Sequence, residues 1–183
     1  MSDPQLMEAL RTIGKPVTEE EIWSFLRILA QHSNCLKAQT SSVVVKDNKI
    51  ISFGVNSCAP EKHKYGDKLD NCPRMKIKTG AYYELCSPIH SETMATLNIR
   101  PNRSSEEIGK FASHIRPSDL QVRAAFTDQE LKRLNKATLY EVGHYWTCQN
   151  CEDFLKAVGI VKIKLDKVTG GEVRRSYETK NLT

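Results

Sequence analysis

Apolar positions recur along the chain with two different periods. In residues 19–33, EEEIWSFLRILAQHS, they fall at Ile22, Phe25, Leu26 and Leu29. That spacing predicts an amphipathic helix, with three glutamates at the end where the helix dipole favours negative charge. In SSVVVKDNKIISFGV, residues 41–55, two β-branched runs flank Asp47-Asn48, which predicts a hairpin. Residues 57–84 show neither period and are rich in Lys, Asp, Gly, Pro and Cys. A loop of that length in a compact domain is a binding loop more often than a linker.

From Pro88 the pattern turns helical, with proline where a first helical turn accepts it. PNRSSEEIGKFASHIRPSDL follows, broken at Pro101 and Pro117. FTDQELKRLNK opens on a capping box, Thr127 with Glu130, and predicts a short helix. Then ATLYEV reads as a strand, CQNCEDFLKAV as a helix, and GIVKIKLDKV as a strand closed by Thr169-Gly170-Gly171. No internal repeat is visible. This order implies a layered α/β fold with at least one parallel strand pair, joined by the helix that carries Cys151.

A chain of 183 residues suits one sizeable core, so a single domain over residues 1–183 is expected. The composition, 39% apolar and 27% charged, is that of a soluble globular protein, and no apolar run is long enough to cross a bilayer. The opening MSDPQLMEALRTIGKPVTEEE has no basic start followed by an apolar core and cleavage site, so the expected location is the cytoplasm. The net charge of +5 suits a phosphorylated substrate. It is scattered rather than gathered in a stripe, and aromatic content is only 7%, so a nucleic-acid partner is not expected.

Six cysteines in a reducing compartment point to buried thiols or metal ligands rather than disulfides. Cys148-Gln149-Asn150-Cys151 lies too late in the chain for a thioredoxin-like redox motif. With His90 it makes a His/Cys/Cys set, and three protein ligands on zinc leave a fourth position open for water, the arrangement of a catalytic site. Zinc there lowers the pKa of its water. A carboxylate beside it, Glu92, can then carry the proton to a ring nitrogen and a leaving amine. His90 and Glu92 are two apart and share no helix face, so they can converge only around a helix start. Taken singly, each feature has a plainer reading. Cys-x-x-Cys also marks structural zinc clips, a lone His is commonly a satisfied polar residue, and a Glu is commonly a solvated helix charge.

Together, His-x-Glu opening one helix and Cys-x-x-Cys opening another match the zinc nucleobase deaminase signature except at one position. Over residues 20–165 the chain resembles the deoxycytidylate (dCMP) deaminase branch of the zinc-dependent cytidine deaminase superfamily. The resemblance is carried by NCPRMKIKTGAYYELCSPIHSE and by SNCLKAQTSSVVVKDNKIISFGVNSCAP. It implies a three-layer α/β/α cytidine deaminase-like fold with a mixed sheet of about five strands. It also implies zinc on His90, Cys148 and Cys151, Glu92 as proton shuttle, and Asn56 against the deoxyribose hydroxyl, where a turn-capping Asn is the alternative.

Arg74 and Lys76 are candidates for the substrate phosphate, or else solvated loop charges. Cys35, Cys72 and Cys86 are candidates for a second, structural zinc, or else three buried thiols. Relatives in this branch are homo-oligomers regulated by deoxynucleoside triphosphates, which sets the expected partners. The implied reaction is hydrolytic deamination of dCMP to dUMP and ammonia. The alternatives are deamination of another nucleotide or of a base in single-stranded nucleic acid, and a non-catalytic zinc-stabilised nucleotide-binding domain.

Four departures from that pattern stand out. Ser91 replaces the Ala of His-Ala-Glu, Thr147 replaces the Pro before the first zinc cysteine, and Val55 and Ser57 flank Asn56 in place of Tyr and Gly. Residues 101–135 also form a long insert between the two halves of the metal motif.

Overall fold

The computed structural model describes residues 3–58, 72–78, 81–144 and 146–166. Helix α1 spans Pro4–Leu10 and α2 spans Glu19–Ala30, the latter opened by a reciprocal capping box between Thr18 and Glu21. The predicted helix 19–33 thus ends three residues early. Strands β1 (Ser41–Lys46) and β2 (Lys49–Val55) form the expected hairpin. Its turn residues Asp47 and Asn48 both have positive φ, 50° and 57°, as the tight hairpin turn requires.

A single 3-10 turn, Tyr83–Leu85, precedes α3 (Ser91–Leu97). The insert folds as three short helices, α4 (Ser105–Gly109), α5 (Asp119–Ala124) and α6 (Asp128–Leu134), each opened by its own capping box. Strand β3 (Thr138–Val142), helix α7 (Gln149–Ala157) and strand β4 (Lys162–Leu165) complete the described chain. The predicted terminal turn at Thr169-Gly170-Gly171, and residues 59–71 and 79–80 of the predicted loop, lie outside the described residues.

The four strands form one mixed sheet in the order β2-β1-β3-β4. Pairs β2/β1 and β1/β3 are antiparallel, and β3/β4 is parallel across the helix that carries Cys151, as expected. The sheet has four strands among the described residues rather than about five.

Side-chain alternation divides the core between the two faces of the sheet. Val43, Val45, Tyr140 and Val142 pack with Ile22, Phe25, Leu26 and Leu29 of α2. Val44 and Leu139 face the other way and pack with Ala95 and Leu97 of α3 and Phe154 and Leu155 of α7. The insert joins this second cluster through Val122 and Phe126. Glycine at position 54 of β2 lets α3 lie directly on the sheet, since a Cβ there would sit 2.4 Å from the Ala95 nitrogen. No helix among the described residues is long and apolar enough to cross a membrane.

Candidate metal centre

Two helix starts converge behind the sheet. His90 is the N-cap of α3 and Cys148 the N-cap of α7, both with extended backbone, and neither uses its side chain to cap its own helix. The imidazole and the thiol are therefore left for another partner, beside first-turn N–H groups whose partial charge favours a thiolate. Cys151 lies in the first turn of α7 and presents its sulfur at the same end.

His90 Nδ1 is 3.4 Å from Cys148 Sγ and 3.3 Å from Cys151 Sγ, and the three atoms lie within 4.8 Å of one another. A tetrahedral ion at ordinary zinc–sulfur and zinc–nitrogen bond lengths spaces such donors about 3.5 Å apart. The donor set therefore fits zinc in both chemistry and spacing. Among the described residues it is the one group of His, Cys, Asp or Glu side chains that gathers three ligand atoms so closely.

The local charges favour a bound cation. The hydrogen bond with Cys151, with a further one from His90, holds the Cys148 thiol down to about 5 against the effect of burial. The same bond, with burial, pushes Cys151 well above the usual thiol range. Burial alone would lower His90, but the Cys148 hydrogen bond and the charge of Glu92 outweigh it, and its value rises. A divalent ion replaces the protons these donors share.

Glu92 is the second residue of α3 and is 1% exposed. It reaches the His90 side because His90 stands just outside the helix, the one geometry in which residues two apart converge. Its Oε2 accepts a hydrogen bond from Ser91 Oγ at 3.3 Å, while its buried Oε1 has no hydrogen-bond partner among the described residues. A buried carboxylate oxygen without a partner is costly to fold and marks a group held ready for something else. Ser91, in place of the expected Ala, has a task of its own. Its oxygen accepts from Thr40 Oγ1 (3.1 Å) and Ser42 Oγ (2.9 Å), which turns its proton towards Glu92 and ties the carboxylate to β1.

Glu141 and His144 escaped the sequence reading. Glu141 is fully buried in β3, and His144 Nδ1 lies 3.3 Å from its Oε1. Burial, and then the nearby charge of Glu92, raise Glu141 to about 7. His144 rises to about 9 because its contact with Glu141 outweighs burial, and its ring sits edge-on to His90 at 6.4 Å. The signal was present in ATLYEV, where strand alternation puts Glu141 on the same inward face as Leu139.

Beside the ligands opens a cavity of about 380 Å³. Tyr83, Trp146 and Asn150 wall it, together with Ser113, His114 and Arg116 of the insert. Two of the residues expected to meet a substrate are engaged within the protein, and the third is exposed. Asn56 is buried and ties the 33–40 segment to the end of β2. Its Oδ1 accepts from Ser33 Oγ and the Thr40 nitrogen, and its Nδ2 donates to the Ala38 carbonyl. These bonds are compatible with the turn-capping alternative. Arg74 is buried over the Tyr83 ring at 4.1 Å and donates to the Ala81 carbonyl and to Cys86 Sγ. Lys76 is exposed, and neither basic residue walls the cavity.

The expected second metal set is also rearranged. Cys35 and Cys86 cluster with buried Cys58, while Cys72 is only half-buried. Hydrogen bonds from Cys58 lower both Cys35 and Cys86 to about 6 and raise Cys58 itself. No three of these cysteines bring their sulfurs within 4.8 Å of one another among the described residues.

A scan against protein-family models found no match, and a search of curated proteins found no similar sequence.

Proposed function

We propose that this chain is a zinc-dependent hydrolase that converts dCMP to dUMP and ammonia in pyrimidine deoxynucleotide metabolism. The observation that carries the reading is the Oε1 of buried Glu92, without a hydrogen-bond partner among the described residues and held beside three converging zinc-type donors. A closed structural site has four protein ligands and no use for such a carboxylate, whereas a hydrolytic site has three and needs one.

Zinc held by His90, Cys148 and Cys151 supplies the Lewis acidity that makes hydroxide available near neutral pH. Glu92 takes the proton of the attacking water on Oε1 and passes it to N3 of the pyrimidine as the water oxygen bonds to C4. Glu92 then takes the remaining proton from the C4 hydroxyl and delivers it to the exocyclic amine, the C4–N bond breaks as the C4–O bond becomes the carbonyl, and ammonia departs. One water is consumed and no redox partner is needed. Ser91, fixed by Thr40 and Ser42, holds Oε2 so that Oε1 stays on the substrate side.

Helices on both faces of the mixed sheet are compatible with the three-layer cytidine deaminase-like arrangement. Cytoplasmic location, homo-oligomeric assembly and control by deoxynucleoside triphosphates accompany this reading, with one catalytic zinc per chain.

Ammonia release from dCMP, cytidine, dCTP and a cytosine-containing oligonucleotide tests it, with zinc-replete protein run beside Glu92→Ala. Release confined to dCMP and lost in the variant supports the proposal. Release from the oligonucleotide moves the substrate to nucleic acid. Zinc-loaded protein that binds deoxycytidine nucleotides and never converts them is a binding module.

A further inference from the structure

We propose that Arg116, carried to the rim of the catalytic cavity by the 101–135 insert, grips the substrate's phosphate and makes the enzyme prefer a nucleoside monophosphate to a free nucleoside. The inference rests on the deamination reading above and assigns its anion subsite.

The insert is fastened to the metal centre at one residue. The Ser113 nitrogen and Oγ both donate to the Pro88 carbonyl, at 2.8 and 2.7 Å, two residues before His90. The Ser113 carbonyl accepts from Asn150 Nδ2 at 3.0 Å, two residues after Cys148. One residue of the insert is thus clamped to both ligand-bearing segments. Downstream, Pro117 restricts the backbone of Arg116, Ser118 caps α5, and the α5 region packs on α7 through Val122 and the Phe126–Phe154 ring pair. With both ends of 113–118 held, the position of Arg116 follows from the fold rather than from a free loop.

Charge then singles out this side chain. Arg116 is the one permanent cation among the described residues that wall the cavity, and it has no hydrogen-bond or ion-pair partner among them. Arg74 is committed to Ala81, Cys86 and the Tyr83 ring. A phosphate entering this cavity is attracted by a cation at its rim, and Arg116 is the lining residue placed to supply that charge. A guanidinium, planar and with paired N–H donors, suits two phosphate oxygens at once, which an ammonium does not.

The test is calorimetric binding of dCMP, deoxycytidine and inorganic phosphate to zinc-loaded Glu92→Ala protein, which turns no ligand over, comparing Arg116 with Arg116→Gln and Arg116→Lys in that background. Arg116 is exposed, and circular dichroism with zinc content checks that each variant is folded and loaded. The expected result is a fall of about 10- to 100-fold in the dCMP-to-deoxycytidine affinity ratio in Arg116→Gln, with a smaller fall in Arg116→Lys. An unaltered ratio in Arg116→Gln overturns the inference. Phosphate binding that needs Arg116, in a protein that takes neither cytosine ligand, upholds the anion subsite while the deamination reading fails. Protein with Arg116 intact that binds none of the three overturns both.

Discussion

Gly54→Ala tests whether the metal centre depends on how closely α3 lies on the sheet. The added methyl would sit 2.4 Å from the Ala95 nitrogen and 2.7 Å from both the Met94 carbonyl carbon and Met94 Cβ, where ordinary contact begins at 3.4 Å. Two of those three atoms are backbone and cannot rotate away, so α3 must lift by about 1 Å, which overpacking data put at about 1–3 kcal/mol. The loss of unfolded-state freedom on replacing glycine returns about 0.4–1 kcal/mol. At mid-range the two leave a net loss of about 1.3 kcal/mol, which lowers the melting temperature by roughly 3–5 °C for a chain of this size. Because α3 carries His90 at its start and Glu92 in its first turn, the same movement misplaces a ligand and the base together. A 1 Å error of that kind costs about 100-fold in turnover. Thermal unfolding by circular dichroism, zinc affinity by chelator competition and ammonia release measure the three effects. Wild-type melting and zinc affinity in Gly54→Ala would refute the packing argument.

Three further outcomes are expected. Cys151→Ala should lose stoichiometric zinc, and a strong chelator should lower the melting temperature of the wild type but not of the variant; equal sensitivity in both would place the metal elsewhere. His144 is raised from 6.5 to about 9, so the stability it contributes is complete below pH 6.5 and is lost as pH rises through about 9. In urea titrations of metal-free protein, the stability difference between wild type and His144→Gln should be at most roughly 2 kcal/mol near pH 7.5, where Glu141 carries its charge, and shrink as pH rises through about 9. A flat difference would mean that the Glu141 contact does not form. Cys58, 1% exposed within its thiol cluster, should cost about 1–2 kcal/mol on replacement by Ala, and half-buried Cys72 under about 0.5 kcal/mol, read from denaturant midpoints. Equal costs would argue for Cys72 as the third member of that cluster.

The amino-acid sequence by itself determined the features encoded over a few neighbouring residues. The apolar stripe of α2, the Asp47-Asn48 turn, the crossover through α7 and the helix starts that present His90, Glu92, Cys148 and Cys151 were all legible, because each depends on local periodicity or a local cap. Tertiary structure decided the rest. Whether Cys58 or Cys72 joins Cys35 and Cys86 depends on how segments more than a dozen residues apart are laid side by side. The partners of Asn56 and Arg74, the 33–40 segment for one and the Tyr83 ring for the other, come from the fold and not from neighbouring residues. The insert reads as three capped helices with no destination until Ser113 meets Pro88 and Asn150. A side chain's role depends on what solvates it once water is gone, and those partners come from the whole chain.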